Sequence, residues 1–257
     1  MKELLYALPG GMNTDCARWG LTPAHMTYRI VPGPKLIGVG LTGEVRGGAM
    51  FVAASGEELS GDPQPCCRQV VGECRKRGFS RVICDFEGAP VGGLATLTAE
   101  LAKVCAQNGL ALYLPEPFAP LAEECRALVS SALVSGTLEK RLRDAIGRYG
   151  PERVVLAVEA VAEDFLLPAS GRGDPLTQSQ LSELVSRLEP AVFFDRGLCA
   201  HYFTYMNRGE GAHFILFDTP RSVREKLDAA QRLGLSSALL AAPQVEGWLE
   251  EIFGGEG

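Results

Sequence analysis

Residues 80–90 read SRVICDFEGAP. Val82, Ile83 and Cys84 form a β-prone apolar run that passes straight into Asp85-Phe86-Glu87 and then a Gly/Pro turn. An apolar run without alternation marks a strand covered on both faces, as in a parallel sheet. Side chains two apart on a strand share a face, so Asp85 and Glu87 point the same way at its C-terminal end. If that face is an interior, two carboxylates stand in one cavity and their mutual repulsion raises one pKa. A carboxylic acid kept protonated near neutral pH can serve as a general acid. The plainer reading of the same residues is a solvated strand end.

Outward from this stretch, similar apolar runs recur with helix-like segments between most of them. Strands are expected at 2–9, 25–31, 35–41, 48–54, 81–87, 110–116, 127–134, 153–160 and 236–242, with a strand-rich patch in AVFFD, CAHYFTYM and HFILF. Helices are expected at 62–78, 94–108, 119–126, 137–149, 176–188, 220–233 and 243–253. Leu138, Leu142 and Ile146 make one apolar stripe on the fourth of these. About eight buried strands with intervening helices predict an α/β chain folded as one (β/α)8 TIM barrel over 1–257, with a small antiparallel insert at about 190–217, before the last strand. In such a barrel the reactive face lies at the strand C-termini, where Asp85, Glu87, Glu116 and Glu159 all fall. A doubly wound open sheet is the competing architecture, but LPGGMN after the first strand does not supply its Gly-rich phosphate turn.

The chain has 257 residues, enough for a barrel of this kind, and a hydrophobic share of 46% provides a sizeable core. With a net charge of −6 and no basic cluster denser than RLRDAIGR (141–148), nucleic acid is not an expected partner. No apolar run approaches the ~20 residues of a membrane-spanning helix, and MKELLYALPGG reads as a first strand, not a signal peptide. The eight cysteines show no CxxC pair, and Cys84, Cys105 and Cys125 lie in apolar contexts. They are read as reduced core thiols in a cytosolic, reducing setting. His25 and His213 lack a second ligand at metal spacing, so neither a metal nor another cofactor is expected.

RVICDFEGAP resembles the fourth-strand signature, DxxDxDxE, of glycoside hydrolase family 18, the chitinase-like barrels. It is most similar to the branch of spore-germination and cell-wall hydrolases in which IDFE-type endings are common. HFILFDTPRSVREKLDAAQRLGLSSALLA resembles that family's last segment, and YGPERVVLAVEAVAEDFLLP its seventh strand and exit. The resemblance spans roughly residues 80 to 242. It implies that Glu87 protonates the glycosidic oxygen and that Asp85 orients the N-acetyl group, whose carbonyl oxygen is the nucleophile. This is substrate-assisted retention, outside the scheme of two protein carboxylates. The motif's first two aspartates fall on Ser80 and Ile83. The sixth strand, ALVSSALVSG, lacks the family's Met-x-Tyr-Asp element, and SSALLAAP lacks the tryptophan that floors the sugar site.

Glu159 and Glu116 are further candidates for ligand binding at the mouth. Tyr202 and Tyr205, with Phe203 and His201, are candidates for a sugar-stacking wall or equally for core packing. Asp218, before Thr219-Pro220, reads mainly as the start of a helix, and GEVRGG (43–48) as a turn. Two functions follow. One is a retaining hydrolase of N-acetylglucosamine-containing glycans, of the peptidoglycan or chitin type, with weak or lost activity. The other is a non-catalytic barrel that binds a glycan or protein through the old cleft.

Overall fold

The computed structural model describes residues 1–40, 45–55, 59–133, 135–169, 171 and 173–254. The expected strand end at Leu41, the first residues of the 43–48 turn and Val134 lie outside the described residues. The chain runs β1 (Glu3–Pro9), β2 (Thr22–Val31), β3 (Lys35–Gly38), β4 (Ala49–Ser55), α1 (Gln64–Arg77), β5 (Arg81–Glu87), α2 (Gly92–Gln107), β6 (Ala111–Pro115) and β7 (Arg126–Ser130). It continues through α3 (Leu138–Tyr149), β8 (Val154–Val158), β9 (Ala162–Leu166), β10 (Asp174–Pro175), α4 (Gln178–Leu188), β11 (Phe193–Asp195) and β12 (Ala200–Asn207). It ends with β13 (Gly211–Phe217), α5 (Pro220–Arg232), β14 (Ser237–Ala241), α6 (Ala242–Val245) and α7 (Leu249–Phe253).

β1, β2, β4, β5, β6, β7, β8 and β14 pair in parallel in that order, and β14 returns to β1 to close the (β/α)8 barrel. β3 adds an antiparallel hairpin on β2. Alternate residues fill the barrel: Leu5, Ala24, Phe51, Ile83, Tyr113, Val155 and Leu239 form one interior cluster. The residues between them face out against α1 and α2 on one side and α3 and α5 on the other. Each strand is thus buried on both faces, which is why the runs read as continuously apolar. All eight cysteines are buried and unpaired. Burial pushes the Cys67, Cys74 and Cys105 thiols up to about 12, so they behave as small apolar groups.

The floor of the barrel, at the strand N-termini, is closed by charge. Glu3 of β1 receives Arg81 Nε of β5 at 2.8 Å, the Tyr113 hydroxyl of β6 at 2.9 Å and Arg126 Nη1 of β7 at 3.1 Å. Burial alone would raise the Glu3 carboxyl, but the Tyr113 hydroxyl and the two guanidiniums outweigh it and hold it below its ordinary value. Its stabilisation is therefore present above the ordinary carboxylate range and is lost as pH falls through the lowered value. Glu3→Gln is expected to cost roughly 2 kcal/mol at neutral pH, the scale of a hydrogen bond to a charged group. The difference from the parent should shrink in acid. Equal melting temperatures at pH 7 would mean that the network contributes nothing.

Three segments differ from the sequence expectation. The helix expected at 119–126 is a 3-10 turn, Glu116–Leu121, because Pro117 and Pro120 remove the donors an α-helix needs. The last helix is broken into α6 and α7, with a 3-10 turn over Glu246–Trp248 that contains Gly247. The antiparallel insert is larger than 190–217. Its five strands, ordered β10-β9-β13-β12-β11, begin at Ala162 directly after β8. The helix at 176–188, α4, belongs to this insert, since Leu181 packs on Phe203, Ile215 and Phe217. β9 reads AEDFL, too short and too mixed in polarity to stand out in the sequence as a strand of its own.

Candidate active site at the barrel mouth

The pleat of β5 sorts its residues between two environments. Val82, Cys84 and Phe86 point outward into the layer under α1 and α2, whereas Ile83 lies in the barrel interior. Asp85 and Glu87 continue the interior row to the C-terminal mouth, where both meet solvent. The ladder from β5 to β4 continues to Ser55–Glu87, while that to β6 ends at Ile83–Tyr113. Strand β5 thus separates from β6 at the level of Asp85. A cleft of about 520 Å³ opens there, lined by Met26, Phe51, Asp85, Glu116, Leu128, Arg141, Glu159 and Gln244 among others.

Asp85 sits at the centre of the electrostatics. Loss of water to the surrounding barrel wall raises its carboxyl above the ordinary value, the charges of Glu87 and Glu159 add to the rise, and Arg29 offsets part of it. The expectation that one carboxyl of the pair is raised is thus met at Asp85. Because the folded-state pKa lies above the unfolded one, Asp85 favours folding below the ordinary carboxylate value. That contribution is lost as pH rises through the raised value. Asp85→Asn should therefore melt at or above the parent temperature at pH 7, and the difference should fade in acid. A carboxyl-detected NMR titration should show Asp85 high, and an ordinary exposed value would remove the shared cavity.

Glu159 follows β8 and reaches the same cleft. Its backbone is fixed on both sides: its N–H donates to Ser131 Oγ at 3.0 Å, and its carbonyl accepts from Lys226 Nζ at 3.3 Å. Glu116 also lines the cleft but is only 8% exposed. Its carboxylate is occupied by α3, with Arg148 Nη2 3.0 Å from Oε1 and Arg141 paired to Oε2. Glu116 therefore orients Arg141 at the cleft wall and does not offer a free carboxylate. In sequence RLRDAIGR reads only as a basic cluster; Arg141 stands on the apolar-striped helix α3 and is carried to the mouth by its packing.

The aromatic candidates are not in this cleft. Residues of one strand three apart lie on opposite faces, and Tyr202 and Tyr205 do so on β12. Tyr205 is on the α4 side, stacked on His213 at 4.7 Å and donating to Asp164 at 3.3 Å. Phe203 is in the core beneath α4, and His201 packs against Phe194 and Phe217. Tyr202 is on the other face, stacked between Phe193 at 5.6 Å and Phe214 at 5.3 Å. Period-two alternation separates the two tyrosines, so no common stacking wall forms from them. Asp218 does not cap α5 either: the Thr219 side chain accepts from Ser222 N, and Asp218 pairs with Lys226 instead. Among the described residues no group of three His, Cys, Asp or Glu is placed to hold a metal, and no helix is long and apolar enough to cross a membrane.

No family profile matches the chain. Its architecture does match solved structures. A chitinase from Chromobacterium violaceum superposes with a TM-score of 0.71 at 16% identity, covering 98% of each chain. The spore cortex-lytic enzyme SleL of Bacillus megaterium gives 0.64 at 13% identity, covering 98% of this chain and 74% of that one. A family 18 chitinase variant from Cycas revoluta, solved in complex with (GlcNAc)4, gives 0.62 at 14%, covering 97% and 98%. At these identities it is the fold that is shared: the chain is similar to these chitinase and cortex-lytic barrels in architecture.

Proposed function

We propose that the protein binds N-acetylglucosamine-containing glycans of the peptidoglycan or chitin type in the cleft at the strand C-termini, with weak or no hydrolysis. The observation that carries this reading is Asp85 in the cleft at the mouth of a closed barrel, with Glu87, which is exposed, two residues further along the same face of β5. Glu87 is the group to donate a proton to the glycosidic oxygen, and Asp85 the group to hold the N-acetyl nitrogen. The N-acetyl oxygen then attacks the anomeric carbon, and Glu87 recovers a proton from the incoming water. Glu159 supplies a carboxylate acceptor for sugar hydroxyls from the opposite wall.

The cleft supports binding better than turnover. Its described lining contains neither Tyr nor Trp, leaving Phe51 as its aromatic ring. Ile83 stands below Asp85 where the family motif has an aspartate. The described wall thus offers no tyrosine hydroxyl to hold the N-acetyl oxygen in line with the anomeric carbon, and misplacement of reacting atoms is costly in rate. Isothermal calorimetry with N-acetyl-chito-oligosaccharides and muropeptide-free glycan strands is expected to show saturable binding, weakened in Glu159→Gln. Absence of heat with both would overturn the reading. A second reading, a barrel that docks a protein, is favoured by the apolar insert face, where Phe193 is 54% and Met206 74% exposed; it predicts no glycan binding.

A further inference from the structure

The insert leaves the barrel after β8 and returns before α5, and one buried ion pair ties both crossings together. Asp218 N donates to Val161 O at 2.8 Å, and Val161 N donates back to Asp218 Oδ2 at 2.8 Å. Lys226, reaching in from α5, sits 2.6 Å from the same Oδ2, and both side chains are almost fully withdrawn from solvent, at 1% and 0% exposure. The ammonium does not stop there: it also donates to the Glu159 carbonyl at 3.3 Å. From β7's side, Ser131, itself 1% exposed, accepts from Glu159 N at 3.0 Å and places its hydroxyl 3.4 Å from Glu159 O.

A buried charge pair is weak evidence of stabilisation, because desolvation offsets much of its attraction. Apolar residues of similar size would fill this joint as well. What they could not supply is direction, since a charged donor fixes the orientation of each carbonyl and carboxylate it meets. We propose that Lys226, Asp218 and Ser131 are positioning residues: they lock the Glu159 backbone to the two crossings of the insert and so set where the Glu159 carboxylate stands in the cleft. The inference deepens the glycan-binding reading only in taking Glu159 as part of the ligand site. Its mechanical content holds in the absence of ligand.

The test reads Asp85, which faces Glu87 on its own strand, Glu159 from β8 and Arg29 from β2. The Asp85 carboxyl is titrated by NMR in the ligand-free parent, Glu159→Gln, Lys226→Met, Ser131→Ala and the Lys226→Met/Glu159→Gln double variant. Glu159→Gln should move Asp85 down toward the ordinary carboxylate value. Lys226→Met and Ser131→Ala should move it part of the way in the same direction. The double variant should equal Glu159→Gln alone, because a clamp has nothing to position once the charge is gone. Ser131→Ala keeps the ion pair, so the question remains answerable if Lys226→Met does not fold. Asp85 titrating as in the parent in Ser131→Ala and in any folded Lys226→Met, with only the melting temperature lowered, would reduce the three residues to structural supports. Asp85 unmoved in Glu159→Gln would equally overturn the proposal. Failed glycan binding in calorimetry leaves these titrations unaffected, so the two readings fail separately.

Discussion

Glu87→Gln is expected to remove any hydrolysis of N-acetyl-chito-oligosaccharides by the protein, a loss of at least ~100-fold, the lower end for a general acid. The amide keeps the shape of the side chain and still donates and accepts hydrogen bonds, so glycan affinity should stay within about twofold. The parent rate itself should be very slow or undetectable. Losing one hydrogen bond that stabilises the reacting oxygen can cost ~100-fold or more, and the described lining offers no Tyr or Trp to hold the N-acetyl group. Brisk hydrolysis by the parent would refute the weak-site reading. Residual turnover unchanged in Glu87→Gln would remove Glu87 as the acid, whatever the binding data show.

The second large effect is on stability. Lys226→Met removes one partner of a pair whose side chains are 1% and 0% exposed, leaving Asp218 charged and buried beside Val161. Breaking such a pair from one side costs ~3–5 kcal/mol. For a chain of this size that lowers Tm by on the order of 10 °C. Asp218 Oδ1 already lacks a partner, so the orphaned carboxylate has little to turn to. The double variant Lys226→Met/Asp218→Asn should recover most of the loss. The asparagine oxygen still accepts from Val161 N, and no charge remains to be desolvated. Differential scanning calorimetry of the parent and the two variants decides it: a double variant no more stable than Lys226→Met would show that the cost lies in packing around the lysine stem.

The closed barrel was legible in the sequence because its signal is local. Strands buried on both faces have to be apolar throughout, and β1, β4, β5, β6, β7, β8 and β14 all read that way. The shared face of Asp85 and Glu87 was legible too, since spacing of two on a strand leaves no other outcome. Tyr202 and Tyr205 show the limit of the same rule. Their spacing of three already separated them, but only the pairing of β12 with β11 and β13 showed which ring met which neighbour.

The rest depended on contacts between residues distant in sequence. Glu116 reads as a free carboxylate at a strand end until α3, 25 residues later, delivers Arg141 to it. Asp218 reads as a helix start because its partner, Lys226, stands two turns along α5 and points inward only once α5 packs on the barrel. β9 falls in what reads only as the exit of the strand before it until β13, about 50 residues on, pairs with it and makes it an inner strand of the insert. Composition and periodicity therefore determined the barrel and placed its two central carboxylates on one face. The tertiary structure decided which other charges remain free to meet a ligand, because a side chain's partner is set by the chain segments that fold against it.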